Sequence, residues 1–338
     1  MRYRPLGRSG LRVSQLFLGA MGFYESGGAD GMRGHRAVLD AYADAGGNVV
    51  DTASAYGESE SVLGELLTGR RDRFVVSTKY TISRDQADPN AGGNHRKNLI
   101  LSLERSLRRL RTDYIDLYWV HVWDRHTPVE ETVRALDDAV RAGKVLYVGF
   151  SDTPAWVVSR ADALAQWRDR TPVSAVQVPY SLLKRDAERE LLPMAEASGM
   201  TVAAWAPLAG GVLSGKFTGP GAVTSDSRVA PASLTPRDHA VAGAVREVAA
   251  ELGATPAQVA LAWLLARSPA VHPIVGARDA GQVTENMGAV DVALPEEAAR
   301  RLESAAAFEA GFPGDFIAEC EADPWVFGTA SVDPGARP

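Results

Sequence analysis

Three polar side chains stand at the ends of three consecutive apolar segments of the chain. Asp51 ends the segment NVVD, Lys79 ends RFVVSTK, and His121 follows IDLYWV. Tyr56 comes five residues after the aspartate. If the three segments are adjacent parallel strands, their ends lie about 5 Å apart. An acid, an ammonium and an imidazole would then be within reach of one another, and the phenol could fold back to join them.

This set of side chains is suited to protonating a carbonyl oxygen. A free tyrosine has a pKa of about 10, and we expect the Lys79 ammonium to lower the pKa of Tyr56 by stabilising the phenolate. Asp51 would hold Lys79 and compensate the cost of burying it. His121 would hydrogen-bond the substrate oxygen or relay a proton. The set contains no hydride donor, so a cofactor must supply one.

The elements that must position these residues follow a regular alternation. Eight short apolar segments have strand length and composition. They span residues 15–21, 48–53, 73–80, 115–122, 145–152, 174–180, 201–207 and 271–277. The alternation favours a (β/α)8 barrel, in which chemistry takes place at the carboxyl ends of the strands. A doubly wound open sheet alternates in the same way and stays open as the rival.

The segments between the strands have helical patterns. Residues 94–110 and 129–142 place leucine or valine on one face at helical spacing. The dipeptides Thr127-Pro128, Thr153-Pro154 and Thr255-Pro256 are typical of helix starts, and the first and last also suggest capping boxes.

Three further segments lie outside the eightfold pattern. Residues 3–13 predict a hairpin that could plug one barrel end, residues 218–236 a long loop after the seventh strand, and residues 306–338 a tail over the substrate side. We see no domain boundary, so residues 1–338 are interpreted as one domain.

Composition excludes several classes of protein. The net charge is −6 with both signs spread along the chain, which gives no electrostatic case for a nucleic acid or an anionic membrane as partner. The one cysteine, Cys320, favours a reducing compartment. The chain shows no signal-peptide core and no apolar run of the roughly 20 residues that a membrane span needs. A cytoplasmic protein is expected.

His121, Asp124 and His126 lack convergent spacing, so we predict no metal site.

The motifs around these residues resemble those of the aldo-keto reductases. They include LGRSGLRVSQLFLGAMGF, DTASAY, STK, DLYWVH, GKVLYVGFSD, VQVPYSLL, APLAGGVLSGKF and PIVGARDAGQVTENMGAV, in that order over nearly the whole chain. The resemblance is to bacterial-type members, with potassium-channel β subunits among the relatives. It implies a (β/α)8 barrel that reduces aldehydes and ketones with NADPH. It also implies that Asp51, Tyr56, Lys79 and His121 form the catalytic tetrad.

The resemblance further implies a cofactor site built from the strand ends and the loops that follow. Gly19, Ala20, Met21 and Asp51 would line the ribose and nicotinamide side, and Ser151, Asp152 and Gln177 would hold the nicotinamide amide. Trp205 would stack on the ring, where relatives often have tyrosine. Pro207, Leu208, Gly210 and Lys216 would wrap the pyrophosphate, and Gly276, Arg278, Gln282, Glu285 and Asn286 would hold the adenosine end.

Besides Trp205, two positions depart from the family pattern. Asp152 stands where the family usually has asparagine, and a carboxylate accepts hydrogen bonds but cannot donate them as an amide does. It could instead cap the next helix. Gln282 stands where some relatives carry arginine, which leaves Arg278 as the natural partner for a 2′-phosphate. NADPH is therefore the preferred cofactor and NADH the alternative.

The substrate end is less defined. Tyr24, Trp123, Tyr56 and His121 are predicted to contact a small carbonyl substrate, together with Phe23. The tail aromatics Phe308, Phe312 and Phe316 would help to close the pocket. Two other functions stay open: a cofactor-binding regulatory subunit with little turnover, and a barrel hydrolase that uses paired carboxylates. The sequence does not decide the natural substrate, the direction of reaction or whether the chain forms a homo-oligomer.

Overall fold

Eight parallel strands close into a barrel. The structure, a computed structural model, describes residues 1–24, 28–218 and 229–330. The strands follow one another around the barrel in chain order, and the last returns to the first. This confirms the predicted (β/α)8 barrel and rules out an open sheet. The strands are β3 (Phe17–Gly19), β4 (Val49–Asp51), β5 (Val75–Tyr80), β6 (Ile115–Val120), β7 (Val145–Ser151), β8 (Val173–Pro179), β9 (Thr201–Trp205) and β10 (Val271–Val275).

Helices surround the barrel. Those predicted over residues 94–110 and 129–142 are present as α3 (Arg96–Leu110) and α4 (Val129–Arg141). In the described ranges no single helix is long and apolar enough to cross a bilayer. The helices Pro236–Leu252 and Pro256–Arg267 meet the length and composition requirement only when taken together, and they are bent by 95° at the break between them. The helices are α1 (Gly28–Asp44), α2 (Ser59–Leu66), α3 (Arg96–Leu110), α4 (Val129–Arg141), α5 (Ala155–Trp167), α6 (Leu191–Ala197), α7 (Pro236–Leu252), α8 (Pro256–Arg267), α9 (Ala280–Met287), α10 (Glu296–Ala305), α11 (Gly314–Ala322) and α12 (Pro324–Phe327).

The predicted helix starts are only partly correct. Thr255 forms a reciprocal capping box with Gln258 at the start of α8, as predicted. Helices α4 and α5 also begin at the predicted Thr127-Pro128 and Thr153-Pro154, but the capping box predicted for α4 is absent, because a proline occupies each N-cap and not the first helical position. The two threonine hydroxyls are used elsewhere: Thr127 donates to Asp124 and Thr153 donates to a nearby backbone carbonyl.

The predicted hairpin covers the amino-terminal end of the barrel. Its strands are β1 (Tyr3–Pro5) and β2 (Arg12–Ser14), paired antiparallel. The backbone N–H of Gly7 donates to Thr201 Oγ1 at 2.8 Å. A Cβ at Gly7 would lie 2.3 Å from a carbonyl oxygen of β8, so only glycine fits this approach. Leu6 packs into the barrel interior, and the hairpin therefore plugs this end.

The middle of the barrel is a packed apolar core. Trp119 is fully buried there, and a Cβ at Gly149 on the neighbouring strand would lie 2.4 Å from its ring. Glycine at that position leaves the space that the indole fills. Lys79 is the register partner of Trp119, and Asp51 is the partner of Ser77. The apolar core of the barrel therefore borders directly on the polar residues at the carboxyl ends of the strands.

The remaining segments are partly described. The predicted loop over residues 218–236 includes positions 219–228, which lie outside the described residues. Residues 331–338 of the tail also lie outside them. The described tail contains α11 and α12, which the sequence analysis did not predict. Its start is held by arginines that follow β8 and begin α7: Arg185, Arg189 and Arg237 donate to tail carbonyls between residues 306 and 310.

Candidate active site

The four predicted catalytic side chains converge at the carboxyl ends of β4, β5 and β6. Lys79 Nζ lies 2.5 Å from Asp51 Oδ2 and 4.9 Å from the centroid of the Tyr56 ring. The Tyr56 and His121 rings meet edge to face, with centroids 5.7 Å apart and planes at 83°. The structure thus brings all four residues together.

A tight turn returns the phenol to the strand ends. The backbone N–H of Tyr56 donates to the carbonyl of Ala53 at 3.0 Å, and that of Ser54 donates to the carbonyl of Lys79 at 3.1 Å. Gly57 follows with φ of +58°, a conformation that glycine adopts without steric cost. The chain then enters α2 at Ser59. The five-residue spacing between the aspartate and the tyrosine is the length of this turn.

Asp51 receives three side-chain hydrogen bonds. Besides Lys79, Ser77 Oγ donates to Asp51 Oδ1 at 2.5 Å and Gln177 Nε2 donates to the same oxygen at 3.2 Å. The sequence analysis did not assign a role to Ser77. Its position two residues before Lys79, on the same strand face, was the signal that could have identified it. Gln177, which the resemblance assigns to the nicotinamide amide, here fixes the aspartate.

Burial controls the ionisation of the phenol and the imidazole. Desolvation raises the pKa of Tyr56, while the Lys79 charge and a hydrogen bond from it act in the lowering direction and Asp51 raises it further. The expected net lowering is therefore wrong for this structure, because burial outweighs the ammonium. Burial, assisted by the Lys79 charge, lowers the pKa of His121 to about 4. The imidazole is neutral at pH 7.

A cavity of about 770 Å³ opens above these residues. It extends from the tetrad past the ends of β7 to β10 into the loop after β9 and the start of α9. Most predicted cofactor positions line it: Gly19, Met21, Asp51, Ser151, Asp152, Gln177, Trp205, Pro207, Leu208, Gly210, Lys216, Gly276, Arg278, Gln282, Glu285 and Asn286, together with Tyr56 and His121. Gly211, Ser214 and Ala257 also line it and were not predicted.

Some predicted site residues lie away from the cavity surface. Ala20 and Lys79 are completely buried behind it. Tyr24 is 46% exposed on the loop after β3, and Trp123 lies on the loop after β6. Neither lines the cavity.

The aromatic residues proposed to close the pocket are also outside it. Phe23 is buried against His35, and Phe308 stacks on Arg185 and Arg189. Phe312 and Phe316 contact each other on the exposed part of the tail.

The loop after β9 has the chemistry of an anion site. Gly210 and Gly211 have φ of +67° and +94°, which few other residues adopt. Lys216 folds over this turn, so that a Cβ at Gly211 would lie 2.6 Å from its Nζ. Glycine therefore allows an ammonium to lie against exposed backbone, an arrangement that fits a pyrophosphate.

A cation stands at the far end of the cavity. Arg278 is exposed at the end of β10, and its backbone N–H donates to Gln282 Oε1 at 3.0 Å. Within the described ranges the structure shows no acidic partner for its guanidinium. Asp279 then caps α9 by accepting from the backbone N–H of Gln282 at 2.9 Å. The guanidinium is available to a phosphate at this end.

Asp152 does not cap α5, and that alternative is wrong. Its Oδ1 accepts a hydrogen bond from Trp205 Nε1 at 3.1 Å. Asp152 has φ of +43°, in the left-handed region. Burial raises the pKa of its carboxyl, although hydrogen bonds from Trp205 and Ser151 oppose the shift.

A second tryptophan stands beside Trp123. Trp156, in the first turn of α5, meets Trp123 edge to face with centroids 5.6 Å apart at 86°. It is 58% exposed. The Arg125 guanidinium lies 5.6 Å from the Trp123 ring. Trp156 could not be predicted from the sequence, because nothing in its spacing separates it from an ordinary surface residue of a helix.

The carboxylate of Asp124 has a local role in the loop. It accepts from the backbone N–H groups of Asn94 and His126 and from the Thr127 hydroxyl. In the part of the chain that the structure describes, no three His, Cys, Asp or Glu side chains come together as metal ligands.

Comparison with known proteins places these features in a family context. Residues 15–307 match the Aldo/keto reductase family. A norsolorinic acid reductase of Aspergillus flavus is 39% identical, with 92% of this chain and 82% of that protein covered. An aldo-keto reductase of Aspergillus calidoustus is 37% identical over 95% and 86%. A putative aryl-alcohol dehydrogenase of Saccharomyces cerevisiae is 36% identical over 94% and 90%.

Proposed function

The chain belongs to the aldo/keto reductase family, and on that premise we propose that it is an NADPH-dependent carbonyl reductase. The observation that carries the proposal is the convergence of Asp51, Tyr56, Lys79 and His121 at one end of a cavity. The other end of this cavity is lined by a glycine turn with a lysine and by the guanidinium of Arg278, for which the described residues offer no acidic partner.

The residues that line the cavity fit a nicotinamide dinucleotide. Trp205 offers an indole beside the tetrad, Lys216 and the Gly210–Gly211 turn would hold the pyrophosphate, and Arg278 would hold the adenosine end. Ser151, Asp152 and Gln177, which line the cavity beside Trp205, would hold the carboxamide. Such a cofactor, when bound, supplies the hydride that these side chains lack.

The protein's own groups would then complete the reduction. His121, neutral at pH 7, would hydrogen-bond the carbonyl oxygen and orient it. Tyr56 would transfer its phenolic proton to that oxygen as negative charge develops there. Lys79 would stabilise the resulting phenolate, and Asp51 would hold Lys79 in place through their ion pair. The net rise in the pKa of Tyr56 keeps the phenol protonated before the reaction.

We further propose NADPH as the preferred form of the cofactor. A 2′-phosphate is doubly charged, and a guanidinium pairs with it through two parallel hydrogen bonds. Arg278 is exposed at the cavity end with its guanidinium facing no acid among the described residues. NADH, which has a hydroxyl at that place, would gain little from it.

The substrate class we favour is an aryl aldehyde or ketone. Two of the similar proteins are named for norsolorinic acid and for aryl alcohols. In this chain the half-buried Trp123 and the exposed Trp156 form an aromatic corner at the end of the barrel where the tetrad lies. Aromatic pairs at such spacing are stabilising beyond the area they bury, so this corner is suited to receive a planar ring.

The direct test is a panel of aryl and aliphatic aldehydes with NADPH and with NADH, followed by the loss of reduced-nicotinamide absorbance. We expect multiple turnovers with aryl aldehydes and NADPH. Tight cofactor binding without turnover of any carbonyl would instead indicate a regulatory subunit. Absence of cofactor binding would refute the proposed function.

A further inference from the structure

Asp152 and Trp205 form a pair whose hydrogen-bonding groups match. An indole N–H only donates and a carboxylate only accepts, and Trp205 Nε1 lies 3.1 Å from Asp152 Oδ1. Asp152 and Trp205 are also the two positions beside the tetrad at which this chain differs from the aldo-keto reductase pattern, which usually has asparagine at the first and often tyrosine at the second. The contact shows that the two departures belong together.

The backbone holds this carboxylate in one place. The N–H of Asp152 donates to the carbonyl of Gln177 at 3.1 Å, and its own carbonyl accepts from the N–H of Trp123 at 3.4 Å. Its left-handed φ of +43° is sterically unfavourable for aspartate, so the surrounding contacts must fix it. The side chain lines the same cavity as Tyr56 and Trp205.

The charge of Asp152 acts on the end of the cavity where Asp51, Tyr56, Lys79 and His121 lie. It raises the pKa of Tyr56 and interacts with Lys79. The ion pair of Lys79 and Asp51 carries no net charge, and Tyr56 and His121 are neutral, so the ionised form of Asp152 determines the charge of this end. The local sum is one negative charge. With asparagine at position 152 the sum would be zero.

A nicotinamide ring responds to this charge differently in its two redox states. The oxidised ring carries one positive charge and the reduced ring is neutral, whereas the adenosine and pyrophosphate parts are identical. A fixed negative charge on the cavity wall therefore favours the oxidised ring, by an amount that the solvent exposure of Asp152 reduces. An amide at position 152 would still accept the Trp205 hydrogen bond but would lack this effect.

We propose that Asp152 sets the redox preference of the bound cofactor, so that the site holds NADP⁺ more tightly, relative to NADPH, than an amide at this position would allow. The inference rests on the proposed function, because it needs the nicotinamide to lie at the Trp205 end of the cavity. It assigns to Asp152 a role separate from holding the carboxamide.

The test is the ratio of the dissociation constants of NADP⁺ and NADPH, measured by calorimetric titration at about pH 8, where carboxyl groups are ionised. In Asp152→Asn we expect this ratio to rise about three- to tenfold, the range for a partly screened unit charge. Asp152→Ser also removes the charge and should shift the ratio in the same direction. It serves as the second variant should Asp152→Asn fold poorly.

Glu285→Gln is the matched control. Glu285 lines the same cavity on α9, at the end expected to hold adenosine. Removing this charge should change the affinity for both cofactors by the same factor and leave the ratio unaltered.

An unaltered ratio in both Asp152 variants, while both nucleotides still bind, would overturn the inference and leave the proposed function standing. An equal rise in the ratio for Glu285→Gln would also overturn it. Failure of the unchanged protein to bind either nucleotide would refute the proposed function, and the inference with it.

Discussion

The Lys79 ammonium and the Asp51 carboxylate form a buried ion pair, with Nζ 2.5 Å from Oδ2. Lys79 has no solvent exposure, and its Nζ also donates to the carbonyl of Thr52 at 2.9 Å. A buried ammonium is tolerated only when its charge is compensated and its protons are hydrogen-bonded. Asp51 is therefore a requirement of the fold at this point, apart from the role proposed for it in the chemistry.

We predict that Asp51→Asn lowers the free energy of unfolding by about 3 kcal/mol, because it leaves the Lys79 charge buried without a counter-ion. Urea denaturation at neutral pH measures this change. The matched control is Asp138→Asn, which removes an exposed ion pair with Arg96 and Arg134 and should cost less than about 1 kcal/mol. Similar losses for the two variants would contradict the account of the buried pair.

The rate of carbonyl reduction should vary little with pH over about pH 6 to 9. The pKa of His121 is lowered to about 4, so lowering the pH to 6 leaves the imidazole neutral. The pKa of Tyr56 is raised above its ordinary value of 10.0, so the phenol keeps the proton that it must donate until the pH passes that value. A profile of kcat/KM against pH provides the measurement. A fall in the rate with a midpoint near pH 7 or 8 would mean that Tyr56 or His121 ionises where this structure says it does not.

The sequence predicted the architecture because eight apolar segments of strand length alternate with helical segments, a pattern that favours a (β/α)8 barrel. It predicted that Asp51, Lys79 and His121 lie together because three polar strand ends share one face and one edge. It could not predict that burial outweighs Lys79 in setting the pKa of Tyr56, since desolvation depends on the whole surrounding fold. The pairing of Asp152 with Trp205 also depends on two strands distant in sequence. The tail helices were missed because their exposed aromatic residues have no clear helical periodicity.

Arg278→Ala should weaken binding of NADPH at least tenfold and that of NADH much less, because only NADPH offers a phosphate to the guanidinium. Titration calorimetry with each nucleotide tests this. Lys216→Ala is the control: Lys216 lies at the glycine turn proposed to hold the pyrophosphate, which both cofactors share, so its loss should weaken both to a similar extent. Equal losses of affinity for NADPH and NADH in Arg278→Ala would refute the proposed role of Arg278 in binding the 2′-phosphate.

Trp156→Ala should raise KM for two-ring aryl aldehydes about three- to tenfold while leaving KM for short aliphatic aldehydes unchanged, since only an aryl ring would pack in the corner with Trp123. Steady-state kinetics with both substrate classes give the comparison. Trp167→Ala is the control, because Trp167 is the last residue of the same helix and is 82% exposed. It lies about 16 Å along the helix axis from Trp156. If the two variants behave alike, the corner has no part in substrate selection.

The central claim is that the phenol of Tyr56 supplies the proton in carbonyl reduction. Tyr56→Phe keeps the ring that packs against His121 and Lys79 and removes only the hydroxyl. Its single-turnover rate with an aryl aldehyde, measured beside its dissociation constant for NADPH, is the most direct test. We predict that the rate falls by at least about 100-fold, within the range for loss of a general acid, while the dissociation constant changes less than about threefold. Tyr3→Phe, at the opposite end of the barrel, should retain the full rate. A Tyr56→Phe protein that binds NADPH and reduces the aldehyde at the rate of the unchanged protein would contradict the account.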